Sequence, residues 1–318
     1  MDADPMDLRR TWPTIGLAVL LVLDLVLVVW ALSPSTHGSA APAPGSTIAS
    51  TADAPSSGKP SPSGTTAPST GPALPRPLTR LVVPVGKNAL WTADVGTCKQ
   101  PGELHVSDDR AKTWTTQPAA GSITRIRPDG ATTAFVIGGT RKCQTRLWTT
   151  TDAGANWNGP QSAAASWGRS PKDVRVVHRP GGAPVTPCGG RAPVLDLVAL
   201  DASNATALCG DGVLRRTTDG GADWSTSLTR KGGVALALSS PGTGVVAWMD
   251  QECDGVVVGS LADAKLDKGR CVDGVDPAPG EVAVGVAPSG VWLTAGDAVL
   301  RADAPGAAFE RVSDWPTG

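Results

Sequence analysis

The chain has 318 residues, 38 of them glycine and 28 proline, and its 28 basic residues against 29 acidic ones leave a net charge of −1. That balance lacks the basic excess of an electrostatic nucleic-acid binder, so no nucleic-acid partner is expected. Eleven tryptophans and no tyrosine exclude chemistry that needs a phenol, and three scattered histidines, His37, His105 and His178, give no spacing for a metal site or a triad, so neither metal nor cofactor is expected.

In chain order, residues 1–14 come first and carry Arg9 and Arg10. Ile15 to Leu32 then form an apolar run broken only by Asp24, long enough for one transmembrane helix. Trp12 and Trp30 bracket it, and at ~1.5 Å rise per residue they lie roughly 27 Å apart, near the two interfaces of a bilayer. The arginine pair holds residues 1–14 in the cytoplasm and sends the rest outward, giving a single-pass cell-membrane protein with an extracytoplasmic C-terminal domain. The alternative is secretion after signal cleavage, with Ala41-Pro42-Ala43 as the small-residue site. No cysteine precedes Cys98, so a lipoprotein anchor is excluded.

Residues 33–77 are Ser, Thr, Pro, Ala and Gly with almost nothing large and apolar, a composition that cannot offset its ordering entropy. They read as a disordered tether, kept extended by proline.

From residue 78 to 318 the sequence repeats. Ser107-Asp108-Asp109-Arg110-Ala111-Lys112-Thr113-Trp114 aligns with Thr150-Thr151-Asp152-Ala153-Gly154-Ala155-Asn156-Trp157 and with Thr217-Thr218-Asp219-Gly220-Gly221-Ala222-Asp223-Trp224. The pattern is Ser/Thr-x-Asp-x-Gly-x-x-Trp, with Ala111 the one departure, and the starts lie 43 and 67 residues apart. Two decayed copies follow, one at Ser260 and one at Asp303 to Phe309. Short β-rich runs precede the motifs, including Ile123–Arg127, Thr132–Ile137, Arg146–Thr150, Val234–Leu238, Gly244–Trp248 and Gly255–Ser260. In the extra length before Val194, Val174–His178 and Ala183–Thr186 suit an added hairpin or a reduced repeat.

These three motifs resemble the Asp-box, or BNR, repeat of sialidase-like β-propellers. The resemblance implies an all-β fold, a propeller of five or six four-stranded blades in which each motif turns the chain from the third strand to the fourth. The Asp and Ser/Thr oxygens would satisfy turn amides, Gly would take a positive φ, and Trp114, Trp157 and Trp224 would be buried beneath the next strand. The motif acids Asp109, Asp152 and Asp219 are read as structural.

Six cysteines in an exported domain imply oxidation. Cys98, Cys143, Cys209 and Cys253 precede Ser107, Thr150, Thr217 and Ser260 by 9, 7, 8 and 7 residues, which places all four between the second and third strands of successive units. The expected bridges are Cys98–Cys143, linking equivalent loops of neighbouring blades, and Cys188–Cys209 and Cys253–Cys271, joining sequence neighbours.

The resemblance also raises an enzyme, since sialidase-type propellers hydrolyse glycosides, but such sialidases use a tyrosine nucleophile and this chain has none. A carboxylate-pair glycosidase would have to draw on Asp94, Asp211, Asp250, Glu252 or Asp254, and a purely structural envelope protein is a third class. The preferred reading is a non-catalytic binding or scaffold module for an envelope protein or glycan. Its candidate face is the loops between second and third strands, carrying Lys99, Gln100, Arg141, Lys142, Gln144, Asp211, Asp250, Gln251 and Glu252. Recognition there requires these loops to converge around the central axis.

Overall fold

The computed structural model describes residues 76–317. The apolar run at 15–32 and the tether up to residue 75 lie outside the described residues. Among those described there is no helix, and so none long and apolar enough to cross a membrane.

Strands run consecutively into antiparallel sheets. Blade 1 holds β1 (Arg80–Val85), β2 (Ala89–Asp94), β3 (Glu103–Ser107) and β4 (Thr115–Pro118). Blade 2 holds β5 (Ser122–Pro128), β6 (Ala134–Gly139), β7 (Thr145–Thr150) and β8 (Asn158–Ser162). A two-stranded ribbon follows, β9 (Gly168–Arg169) and β10 (Val177–His178), with Val177 also bridged to Val185. Blade 3 is β11 (Val194–Ala199), β12 (Ala205–Cys209), β13 (Val213–Thr217) and β14 (Ser225–Thr229). In blade 4, β15 (Gly233–Ser240), β16 (Thr243–Trp248) and β17 (Gly255–Ala262) are edged by an outer strand in two pieces, β18 (Lys265–Leu266) and β19 (Arg270–Asp273). Blade 5 is β20 (Ala283–Ala287), β21 (Gly290–Ala295), β22 (Ala298–Ala302) and β23 (Glu310–Asp314).

The first strands stand side by side in a ring, β5 against β1, β1 against β20, β20 against β15 and β15 against β11. The ring closes through β9, which touches both β11 and β5. Residues 76–317 therefore form a propeller of five full blades, with the ribbon as a reduced sixth unit in the place where the 67-residue spacing leaves extra chain.

Burial falls from axis to rim. Nearly every residue of β2, β16 and β21 is buried, because a second strand has a neighbouring blade on each face. The outer strand β8 is exposed throughout, and its sequence Asn-Gly-Pro-Gln-Ser is correspondingly polar. Trp91, Trp248 and Trp292, one from each of those second strands, are buried to within 2% and fill the space between blades.

Alternating strand direction gives the disc two faces. One carries the turns between first and second strands and between third and fourth strands; we call it the turn face. The other carries the loops between second and third strands and the connectors from blade to blade; we call it the loop face.

Candidate functional site

The three repeated turns share one hydrogen-bond scheme. Ser107 Oγ, Thr150 Oγ1 and Thr217 Oγ1 each donate to the Oδ1 of their aspartate at 2.8, 2.8 and 2.7 Å. Each hydroxyl also accepts the amide of Ala111, Gly154 or Gly221 at 2.9 Å. The aspartates accept further amides from the end of the turn, Thr113 N and Lys112 N at 3.0 Å in the case of Asp109. Those bonds, from the Thr113 amide and hydroxyl first, hold the Asp109 carboxyl down at about 2. Asp152 and Asp219 are lowered in the same way, chiefly by Asn156 and Thr217 respectively. Each of these carboxylates is thus taken up by amides and side-chain donors of its own turn.

Two features of the turns differ from expectation. Trp114, Trp157 and Trp224 are half-buried, not buried, because they lie on the flank of the blade. Trp157 donates its Nε1 to Pro118 O of blade 1, and Trp224 meets Trp167 edge to face at 5.9 Å, so each packs on the unit before its own. At Ser260 there is no such turn. Asp263 and Ala264, at φ 50° and 59°, make a tight two-residue hairpin instead, and the loop is held by the Asp267 carboxylate on Ser260 N and Gly269 N.

At the centre lies a channel of about 470 Å³, walled by the five long first strands. Its loop-face end is closed. The entering chain crosses it, with Leu78 N donating to Leu195 O at 3.1 Å and Thr79 N to Gly280 O at 2.8 Å. Arg169, buried in β9, braces this plug by donating to Leu195 O at 2.9 Å and Leu78 O at 3.4 Å. Burial lowers the Arg169 pKa, against the opposing charge of Asp196. Asp196 is itself buried, accepting Leu197 N at 2.8 Å and Leu236 N at 2.9 Å, and burial raises its pKa despite the charge of Arg169. The lining reaches Gly86, Pro128, Leu200 and Pro288, at or just beyond the last residues of the first strands, so the channel opens on the turn face.

The loop face carries the cysteines. Disulfides join Cys98 to Cys143, Cys188 to Cys209 and Cys253 to Cys271, with Cα–Cα distances of 5.2, 5.6 and 5.6 Å. They are the pairs drawn from chain position. Cys98–Cys143 ties blade 1 to blade 2 and brings Lys99 and Gln100 beside Arg141, Lys142 and Gln144. Thr97 Oγ1 shapes the first loop by accepting Lys99 N and Gln100 N, and Thr140 Oγ1 shapes the second by accepting Lys142 N and Gln144 N. Asp211, Asp250, Gln251 and Glu252 stand away from them on blades 3 and 4, where Asp250 is paired with Arg230 at 3.1 Å and Arg230 stacks 4.0 Å over Trp248. The expected convergence on an open axis fails, because Leu78 occupies the axis at this face and none of the nine candidate residues lines the channel. Among the described residues the channel wall holds one carboxylate, Asp196, so none of the acids proposed for a carboxylate pair faces it.

A second polar cluster joins blade 5 to blade 1. Buried His105 bridges Thr116 Oγ1 at 2.9 Å and Asp94 Oδ2 at 3.2 Å. Trp315 Nε1 donates to the same Oδ2 at 3.2 Å, and Arg80 lies 3.6 Å from Oδ1 while covering the Trp315 ring at 4.5 Å. Burial works to raise the Asp94 pKa, but the hydrogen bonds from His105 and Trp315, with the His105 and Arg80 charges, outweigh it and hold it low. Asp94, Glu103 and His105 bring potential ligand atoms within 4.8 Å of one another. The Asp94 oxygens are already engaged by a guanidinium, an indole and an imidazole, so the arrangement is a clasp.

No family model matches the chain, and no curated protein does. Several solved structures resemble it distantly. A GH74 xyloglucanase from Xanthomonas campestris is 14% identical with a TM-score of 0.31, over 74% of this chain and 38% of the xyloglucanase. YCF48 bound to a D1 peptide is 16% identical with a TM-score of 0.26, over 73% of this chain and 66% of its own. A mutant of AofleA from Arthrobotrys oligospora is 10% identical with a TM-score of 0.36, over 76% and 75%. Likenesses this remote say nothing about ligands.

Proposed function

We propose that this chain is a binding or scaffold module, an Asp-box propeller carried outside the cell membrane on the apolar run 15–32 and the tether behind it, whose partner is an envelope protein or glycan. One observation carries the reading. The Cys98–Cys143 bridge fixes Lys99, Arg141 and Lys142 in one exposed patch, and none of the three has an ion-pair partner among the described residues. Rigid loops bearing unpaired charge are where recognition residues concentrate, and three disulfides suit an oxidising compartment outside the cytoplasm. Neighbouring Lys172, which follows Pro171 on the Cys98 sulfur, extends the patch. The partner surface is accordingly acidic.

The test is the double variant Arg141→Glu, Lys142→Glu, used as bait in membrane-envelope extracts beside the unaltered chain. A specific species retained by the unaltered chain and lost by the variant, at unchanged melting temperature, supports the assignment. Equal retention by both, or loss only through unfolding, overturns it.

A further inference from the structure

The reduced sixth unit leaves β5 and β11 without a long first strand between them. The long first strands run 5 to 8 residues, whereas β9 runs two, Gly168–Arg169, at the loop-face end. Toward the turn face the space between β5 and β11 is taken up by buried Trp167, whose Nε1 donates to Asp201 O at 3.0 Å and Ala202 O at 3.2 Å in the turn after β11. Two cations of β5, Arg125 and Arg127, face that space. They are two residues apart in unbroken register with β6, paired to Ile137 and Phe135, and so lie on one side of the strand.

Neither has a carboxylate partner among the described residues. Arg125 spans the gap, donating to Trp167 O at 3.0 Å and to Ala199 O at 3.1 Å, which uses its hydrogen bonds to fasten blade 2 to blade 3 but leaves its charge unopposed. Burial, with the like charge of Arg127, pushes its pKa down to about 10. Arg127 is exposed at the channel mouth without a hydrogen bond or ion pair among the described residues. The lone carboxylate of the wall, Asp196, is at the closed end and spends both oxygens on amides. The channel wall around the cations is aliphatic and half-buried, including Val85, Val198, Leu200 and Val286, and Phe135, outside that lining, lies 5.9 Å from the Arg125 guanidinium.

We propose that this mouth is a small-molecule site for an anionic head group, carboxylate or phosphate ester, on a short aliphatic body, with Arg127 and Arg125 receiving the charge and the ends of β1, β11 and β20 receiving the chain. The channel volume falls in the usual range for such sites, about 300–1,000 Å³. A carboxylate and a phosphate monoester both accept the forked donors of a guanidinium, so the shared chemistry is an oxyanion. The site is on the opposite face from the basic loop patch, and its failure leaves the loop-face reading untouched.

The experiment is titration calorimetry on the full chain with hexanoate, butyl phosphate, acetate, inorganic phosphate and hexanol as separate probes. Saturable binding of one molecule of hexanoate or butyl phosphate is expected, tighter than the matching acetate or inorganic phosphate, with no binding of hexanol. Hexanoate alone, butyl phosphate alone, or both would name the head group. Arg127→Ala, an exposed change that leaves the blade contacts in place, should weaken binding about tenfold, the worth of one charge-assisted contact. Arg127→Lys should restore part of it, and Arg141→Ala on the far face should change nothing. No saturable binding of either anion below about 10 mM, equal affinity in Arg127→Ala, or hexanol binding as tightly as the anions would each overturn the proposal.

Discussion

The repeated turns can be tested through the residue at which the first copy departs from the other two. Gly154 and Gly221 sit at φ 88° and 83°, and Ala111 holds the same place at φ 65°. A residue with a Cβ in this left-handed region costs ~1–2 kcal/mol. In Gly154→Ala the new Cβ would also lie 2.7 Å from Leu104 Cδ2, so the end of that wholly buried side chain must shift within a packed core. Overpacking of that kind adds ~1–3 kcal/mol, and the reduced entropy of the unfolded chain returns ~0.4–1 kcal/mol. The sum is a loss of about 1–5 kcal/mol. Ala111→Gly runs the other way: the strain is released, while a buried methyl worth about 0.8 kcal/mol is lost and the unfolded chain gains freedom. The net change should fall within about 1 kcal/mol of zero. Guanidinium unfolding followed by tryptophan fluorescence, with the disulfides intact, measures both. A Gly154→Ala protein as stable as the parent, or an Ala111→Gly protein as damaged as Gly154→Ala, would refute the shared turn geometry.

Acid should act through the same turns. Asp109 titrates at about 2 when folded and near 3.9 when unfolded, so its contribution is complete above about pH 5 and is lost as pH falls through 4 toward 2. Asp109→Asn should therefore flatten the acid limb of a fluorescence titration, and an unchanged limb would count against the carboxylate's role. The Cys98–Cys143 bridge closes 45 residues, and in the chain-entropy account a loop of that size stabilises by about 4 kcal/mol. Replacing both cysteines by serine should lower the denaturation midpoint accordingly, with a loss below about 1 kcal/mol contradicting the account.

How much of this was readable beforehand depended on how strictly each feature needs particular residue types. The turns require a hydroxyl, a carboxylate and a residue tolerant of positive φ, so three copies announced the repeat and the spacing of the third placed the extra chain. The cysteines were readable because equivalent loops recur at equivalent positions. Blade 4 hid its turn because Asp263 and Ala264 reverse the chain with no fixed side-chain bonds beyond those of Asp267. The half-burial of Trp114, Trp157 and Trp224 was not readable, since the motif specifies that an indole covers the turn but not how much blade lies above it. Least legible was the channel. Arg125, Arg169 and Asp196 belong to no motif, and β9 is too short to carry a period of two. The nearest sign was a charged residue inside an apolar strand, Asp196 in Val-Leu-Asp-Leu-Val-Ala, which burial makes costly unless amides meet it.

The buried charges collect where the ring is weakest. Each sheet is built from consecutive strands, so no strand is shared between blade 5 and blade 1, and that seam relies on packing and side chains. It is there that Arg80, Asp94, His105 and Trp315 form their clasp, with Arg80 also donating to Gly296 O of blade 5 and lying 3.8 Å from Glu281. The other weak place is the reduced unit, where a two-residue strand cannot supply the ladder that binds a full blade. There Arg125 and Arg169 replace it with guanidinium bonds to main-chain carbonyls on blade 3, and Cys188–Cys209 adds a covalent tie. Hydrogen bonds to charged groups contribute roughly 1.5–3 kcal/mol each, about twice a neutral one, so a few long side chains can stand in for several missing backbone pairs. At the closure seam the charges are satisfied by one another. At the reduced unit Arg169 has the charge of Asp196 near it, whereas the hydrogen bonds of Arg125 go only to carbonyls, and the positive charge left over there is what Arg125 adds by fastening blade 2 to blade 3.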